Sequence, residues 1–286
     1  MKRDPAFGIY LSAAALFVSF VVSMTNSIDF TRSLQPTAWV AVMCVVAIGV
    51  SVIVRKVRRH WLLGALWLWL PGMAALHVQL TAPGDRLWSP TALGNYACIA
   101  LLTAIPMRHW LTVGLAVAVI ALTGSRGAWL NAAAGLLALA LFNRQLLRPL
   151  LKAKWLGVLL VPVWMYQSTR GYERAEIWWT AIMLIRDAPF TGWGPGSFSL
   201  FNRYPDAHNI ALHLLAETGP ASLTAAAFFA LAVGGRVREL IRATHDPLYI
   251  GVAAALVGTS AAGLIGVPTY EIPVCFALAV LVGMVL

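Results

Sequence analysis

Apolar runs of roughly 17 to 25 residues, the length an α-helix needs to cross a ~30 Å hydrocarbon core, recur from one end of this chain to the other. A segment crossing lipid must satisfy its own backbone hydrogen bonds, so the pattern predicts an all-α, polytopic helical bundle in a membrane. A single apolar leader ahead of a soluble domain does not fit it. With 60% hydrophobic and only 11% charged residues in 286, the chain lacks the polar surface to coat a water-soluble globule. Ten spans are predicted, near residues 7–24, 37–54, 61–76, 92–106, 110–123, 127–143, 155–168, 219–234, 248–267 and 272–286, in one membrane domain over residues 1–286. Several are short and imply tilt, and Pro71 with Gly72 predicts a kink in the third.

Basic residues orient the chain. The N-terminus and alternate connections hold Lys2, Arg3, Arg55, Lys56, Arg58, Arg59, Arg108, Arg144, Arg148, Lys152, Lys154, Arg236, Arg238 and Arg242, fourteen of the 21. The positive-inside rule makes that side cytoplasmic, with both termini on it. The net charge of +10 is therefore read as topology signal and contact with anionic membrane lipid, not nucleic-acid binding. Cys44, Cys98 and Cys275 fall inside spans without metal-type spacing and read as small packing residues.

The external connections are short except for one, about residues 168–218. Loops of that length in a compact domain are commonly functional. It carries Arg170, Glu173, Arg174, Glu176, Arg186, Asp187 and Arg203. Residues 175–187 (AEIWWTAIMLIRD) predict an amphipathic interfacial helix with Ile177, Trp178, Ala181, Ile182 and Ile185 on one face. Its tryptophans suit the headgroup level. Gly192, Gly194 and Gly196 with Pro189 and Pro195 predict turns, and a weak backbone nest for an anion.

The middles of the spans contain no Asp, Glu, Lys or Arg, whereas an ion-coupled transporter keeps such groups there for work. The charges gather at the outer boundary. Arg126 lies in TGSRGAWL, between Gly124 and Gly127, small residues that let two helices approach while Ser125 and Arg126 face what lies between them. An arginine fork matches a phosphate bidentately, although snorkelling to headgroups is the ordinary alternative. Arg174, flanked by Glu173 and Glu176, is a second candidate, with a local ion pair as its alternative. Residues 207–219 (AHNIALHLLAETG) read as a short helix leading into the eighth span and opened by His208, a candidate for proton transfer. A metal site from Asp206, His208, His213 and Glu217 is not favoured. His208 and His213 diverge by about 140° on an ideal helix, and no HExxH pattern occurs.

These stretches in this order, SRGAW, then RAEIWW with DAPFTGWGPGSF, then AHN with LAETG, resemble the O-antigen ligase and polymerase superfamily of bacterial envelope glycosyltransferases. The resemblance covers about residues 110–219 as a core. It implies metal-independent, inverting transfer of a glycan from undecaprenyl pyrophosphate to an acceptor hydroxyl, without a cofactor, in the bacterial inner membrane with the site facing the periplasm. Arg126 and Arg174 would match the family's pyrophosphate-handling arginines and His208 its catalytic histidine. Ser125, Asn209 and Glu217 would join Arg126 and Arg174 in binding substrate. The resemblance puts a lipid A core sugar first as acceptor and leaves open polymerisation of O-antigen or exopolysaccharide, or transfer to a protein hydroxyl; the residues themselves do not choose among these. The physical reading agrees: two arginines can stabilise a pyrophosphate leaving group, and His208, with Glu217 or Asp206 as substitutes, can take the acceptor proton. A transporter or flippase for a lipid-linked glycan is the competing class, since it too needs external arginines.

Overall fold

The computed structural model describes residues 6–54, 61–68, 90–142, 171–204, 206–264 and 272–286. Among these the chain is all-helical, without strands. Ten helices are bounded in it: α1 (Phe7–Thr25), α2 (Phe30–Val54), α3 (Pro90–Ala104), α4 (Trp110–Thr123), α5 (Arg126–Phe142), α6 (Gly171–Asp187), α7 (Phe198–Phe201), α8 (Ile210–Thr244), α9 (Pro247–Gly263) and α10 (Ile272–Val285). Residues 61–68 are helical as well. By length and composition, α1, α2 and α8 are able to cross a membrane, and α4, α5, α9 and residues 274–285 of α10 are shorter apolar helices. The span expected near 155–168 and the Pro71–Gly72 kink lie outside the described residues, as do the basic stretches 55–59 and 144–154.

Local chemistry explains where the boundaries depart from the expected ones. α2 starts at Phe30 rather than near 37 because the Asp29 carboxylate accepts the Arg32 amide at 2.9 Å, capping the helix two turns before Pro36. α8 runs for 35 residues but breaks at Gly219, whose φ of 74° and ψ of −179° interrupt the helix just before Pro220. A Cβ at Gly219 would lie 2.3 Å from the Phe190 carbonyl oxygen, so only glycine fits there.

Small residues set the packing. α3 is buried on every side from Ala92 to Ala104, which explains its lack of a polar stripe. It runs parallel to α5, with Thr91 near Gly127, the Cys98 thiol 2.9 Å from the Ala128 carbonyl and Leu102 on Gly135. The Asn131 amide donates to Asn95 Oδ1 across the same interface at 3.1 Å. The close approach expected at Gly124 and Gly127 belongs instead to Gly94, where an added Cβ would be 2.7 Å from that of Ala128. Gly124 serves as the left-handed cap of α4, at φ 57°.

α9 runs antiparallel to α5, with Gly258 on Asn131 and the Ala254 carbonyl on Gly135. α1 runs antiparallel to α8, with Gly8 near Ala232 and Ser222 donating to Ser19 at 2.8 Å. The Gly263 end of α9 meets Ile210 at the start of α8. One end of the bundle therefore gathers the beginnings of α5 and α8 with the ends of α1 and α9. The other holds Phe7, Arg236 and Val285, where Arg236 Nε donates to the Val285 carbonyl at 3.2 Å.

α6 packs on α8 beside this first end. Its buried stripe is Ile177, Ala181 and Leu184, while Trp178, Trp179 and Ile182 are exposed. The expected face was thus half right. The 177–181–184 spacing selects the side turned to the protein, and the tryptophans lie on the side turned away.

Candidate functional site

Asn209, not His208, opens α8. Its side-chain oxygen accepts the amides of Ala211 at 3.0 Å and Leu212 at 3.1 Å, the usual N-cap arrangement. Its amide nitrogen donates to the Leu264 carbonyl at 3.2 Å, tying the start of α8 to the end of α9. The one residue expected to bind substrate through an amide thus has both ends of that amide engaged inside the fold.

His208 sits just before the cap, in the left-handed region at φ 49°. For a residue with a Cβ that conformation costs ~1–2 kcal/mol and needs support. Asp206 supplies it. One carboxylate oxygen, Oδ1, accepts the His208 backbone amide at 2.7 Å and lies 2.7 Å from His208 Nδ1. An ionised carboxylate only accepts, so Nδ1 carries a proton, and in the neutral ring the lone pair is on Nε2. The His208 side chain is 32% exposed, so the ring is partly open to what lies outside the fold. Tyr204 packs at 5.5 Å between ring centroids and carries the Arg203 guanidinium 5.0 Å above its own ring.

Burial alone would raise the Asp206 carboxyl, but the hydrogen bonds and charge of His208, with the charge of His213, draw it below the ordinary carboxylate value. The unfolded chain then holds the Asp206 proton more tightly than the folded one. The associated stability is present above ~pH 4 and is lost as pH falls through the lowered folded value. Asp206→Asn is therefore expected to melt below wild type at neutral pH, with the gap narrowing as pH falls from about 5 towards 3. Thermal melts of both proteins in one detergent check this, and a gap independent of pH would contradict it.

Arg126 is the first residue of α5, and Ser125 just before it is buried, its hydroxyl accepting the Ala128 amide at 3.3 Å. Ser125 is thus a cap that sets the helix start, which presents Arg126 and the positive end of the helix dipole together. Arg174 lies in α6. Burial lowers its pKa first, and repulsion from the Arg126 guanidinium lowers it further, although an arginine stays charged at neutral pH. Two cations from elements far apart in sequence are therefore close enough to repel. Such an arrangement is stabilised by an anion between them.

Glu217 lies deep in the fold at 0% exposure. Its Oε2 accepts the Gly196 amide at 2.8 Å and its Oε1 the Phe198 amide at 2.9 Å, while His213 Nε2 is 3.4 Å from Oε2. The nest expected in the glycine-rich turn is present, and the anion in it is the protein's own carboxylate. Backbone bonds reinforce the junction: Gly194 N donates to the Glu217 carbonyl at 2.8 Å and Trp193 N to the Ala216 carbonyl at 3.1 Å. Asp206 and His208 form one pair, His213 and Glu217 another. Among the described residues no three His, Cys, Asp or Glu side chains gather as metal donors.

Two features of this region escaped the sequence reading. Ser23, near the end of α1, is 2.8 Å from both the Thr191 and Glu217 carbonyls, and Arg32 donates to Ser199 Oγ at 3.0 Å. Serines in an apolar helix give no sign of their partner in sequence. The Asp-x-His spacing at 206–208, by contrast, is a readable turn signature.

Comparison with protein-family models gives no match to this chain, and comparison with curated proteins gives no significant one.

Proposed function

We propose that this chain is a membrane glycosyltransferase of the O-antigen ligase and polymerase type, moving a glycan from undecaprenyl pyrophosphate to an acceptor hydroxyl on the periplasmic face of the bacterial inner membrane. The observation that carries the reading is the gathering, at one end of the bundle, of a mutually repelling Arg126–Arg174 pair and an Asp206–His208 dyad with a partly exposed imidazole. In this reading the acceptor oxygen attacks the anomeric carbon, and the bond from that carbon to the pyrophosphate oxygen breaks. The acceptor proton passes to His208 Nε2, and the arginines stabilise the charge that develops on the departing lipid pyrophosphate. Inversion follows from a single displacement. The acceptor favoured is a lipid A core sugar, with polymerisation or protein glycosylation as variants that leave the pyrophosphate chemistry unchanged.

Transfer of a labelled oligosaccharide by purified protein, with released undecaprenyl pyrophosphate as the paired readout, tests the reaction. Orientation is tested separately: a reporter fused at Asp206 is expected to read periplasmic, and one at Arg148 or either terminus cytoplasmic. The reverse pattern would put the site on the side rich in nucleotide sugars and remove the reason for a lipid-linked donor. A flippase remains the second reading, favoured by the same arginine pair. It predicts that glycan translocation survives loss of His208.

A further inference from the structure

The loop from Gly192 to Ser199 is not folded around its own preferences. Gly192, Gly194 and Gly196 hold φ at 65°, 100° and 78°. A Cβ on Gly192 would be 2.3 Å from the Glu217 carbonyl carbon, and one on Gly194 would collide with Ser27. The Ser197 hydroxyl is buried without a hydrogen-bond partner among the described residues, a loss that something else must offset. What offsets it is the Glu217 carboxylate, which takes the amides on both sides of Ser197. Glu217 also meets His213, whose ring stacks edge-on to Phe198 at 5.8 Å between centroids.

We infer that Glu217 is a positioning residue: its buried carboxylate is the built-in anion on which the Gly192–Ser199 loop is moulded, and it fastens that loop to α8, the helix that Asp206 and His208 lead into. The loop connects α6, which bears Arg174, to α8, which follows His208, so one carboxylate sets the spacing of the two halves of the site. Its role in turnover rests on the transferase reading; its role as a clamp does not. The carboxylate, fully buried, acts through the loop and the helix that carries it rather than by touching substrate.

Glu217→Gln keeps the shape but replaces one of two acceptors with a donor facing a backbone amide. Hydrogen exchange is measured on wild-type, Glu217→Gln and Glu217→Asp proteins, with kcat and KM for a lipid-pyrophosphate oligosaccharide in parallel. The expected result for Gln is exchange at least about tenfold faster at residues 194–198, protection in α3 and α5 unchanged, kcat down by about tenfold or more, and donor KM within about twofold, because both arginines are intact. Asp, which keeps two acceptors, is expected to recover part of both the protection and the kcat. Wild-type exchange in the Gln variant would overturn the clamp. A loosened loop with wild-type kcat would overturn the positioning role. Loosening in a protein whose wild type transfers nothing would support the clamp and overturn the transferase reading, so the two failures are distinct.

Discussion

Loss of His208 as alanine is expected to lower the transfer rate by about 10²–10⁴-fold, the usual worth of a positioned general base, with donor binding little changed. The expectation comes from geometry. Asp206 holds Nδ1 at 2.7 Å and leaves Nε2 as the free basic atom on a partly exposed ring. His208→Gln offers an amide where the lone pair was and is expected to be as inactive as alanine. Asp206→Asn is expected to fall between wild type and these two, since it still holds the turn but no longer dictates which ring nitrogen carries the proton. Rates measured at saturating donor separate this loss from any change in affinity.

The second large effect is expected at the arginine pair. Arg126→Lys keeps the charge but loses the planar fork, and a fall in kcat/KM on the order of 10² is expected. Arg174→Lys should behave alike, because the two guanidiniums are close enough to repel one another and so address a common region. The double lysine variant is expected to show less than the product of the single losses, as groups acting on one anion are not additive. Full activity in Arg126→Lys would reduce Arg126 to a headgroup contact.

Much of the helical architecture was legible because membrane helices are written in long apolar runs, and α1, α4, α5, α9 and α10 fall within a few residues of their expected places. Side chains whose caps act across short distances were less legible. The second span was expected only from about residue 37, because the cap at Asp29 that starts α2 at Phe30 acts through a single side-chain bond. His208 read as the first residue of a helix because Asn209, the actual cap, differs from it only in which neighbours its side chain reaches. The candidate site divides in the same way. Arg126, Arg174 and His208 could be picked out as charges or proton carriers where an apolar chain has few. Glu217 was expected to bind substrate or to substitute for His208 as the base, but its carboxylate is taken up by the Gly196 and Phe198 amides of the glycine-rich turn. Sequence shows a donor and an acceptor; only the fold shows that they are already paired.

The most direct test of the central claim is transfer by the purified wild-type chain in EDTA. The donor is a lipid-pyrophosphate oligosaccharide, and the acceptors are lipid A core glycan, a second donor repeat and a hydroxyl-bearing protein. A glycosylated product is expected, with one released undecaprenyl pyrophosphate for each transfer and none from the His208→Ala protein, and the acceptor consumed names the branch of the chemistry. Folded protein that binds the donor yet yields no product with any acceptor, and instead moves the intact lipid-linked glycan across a vesicle membrane with or without His208, would contradict it.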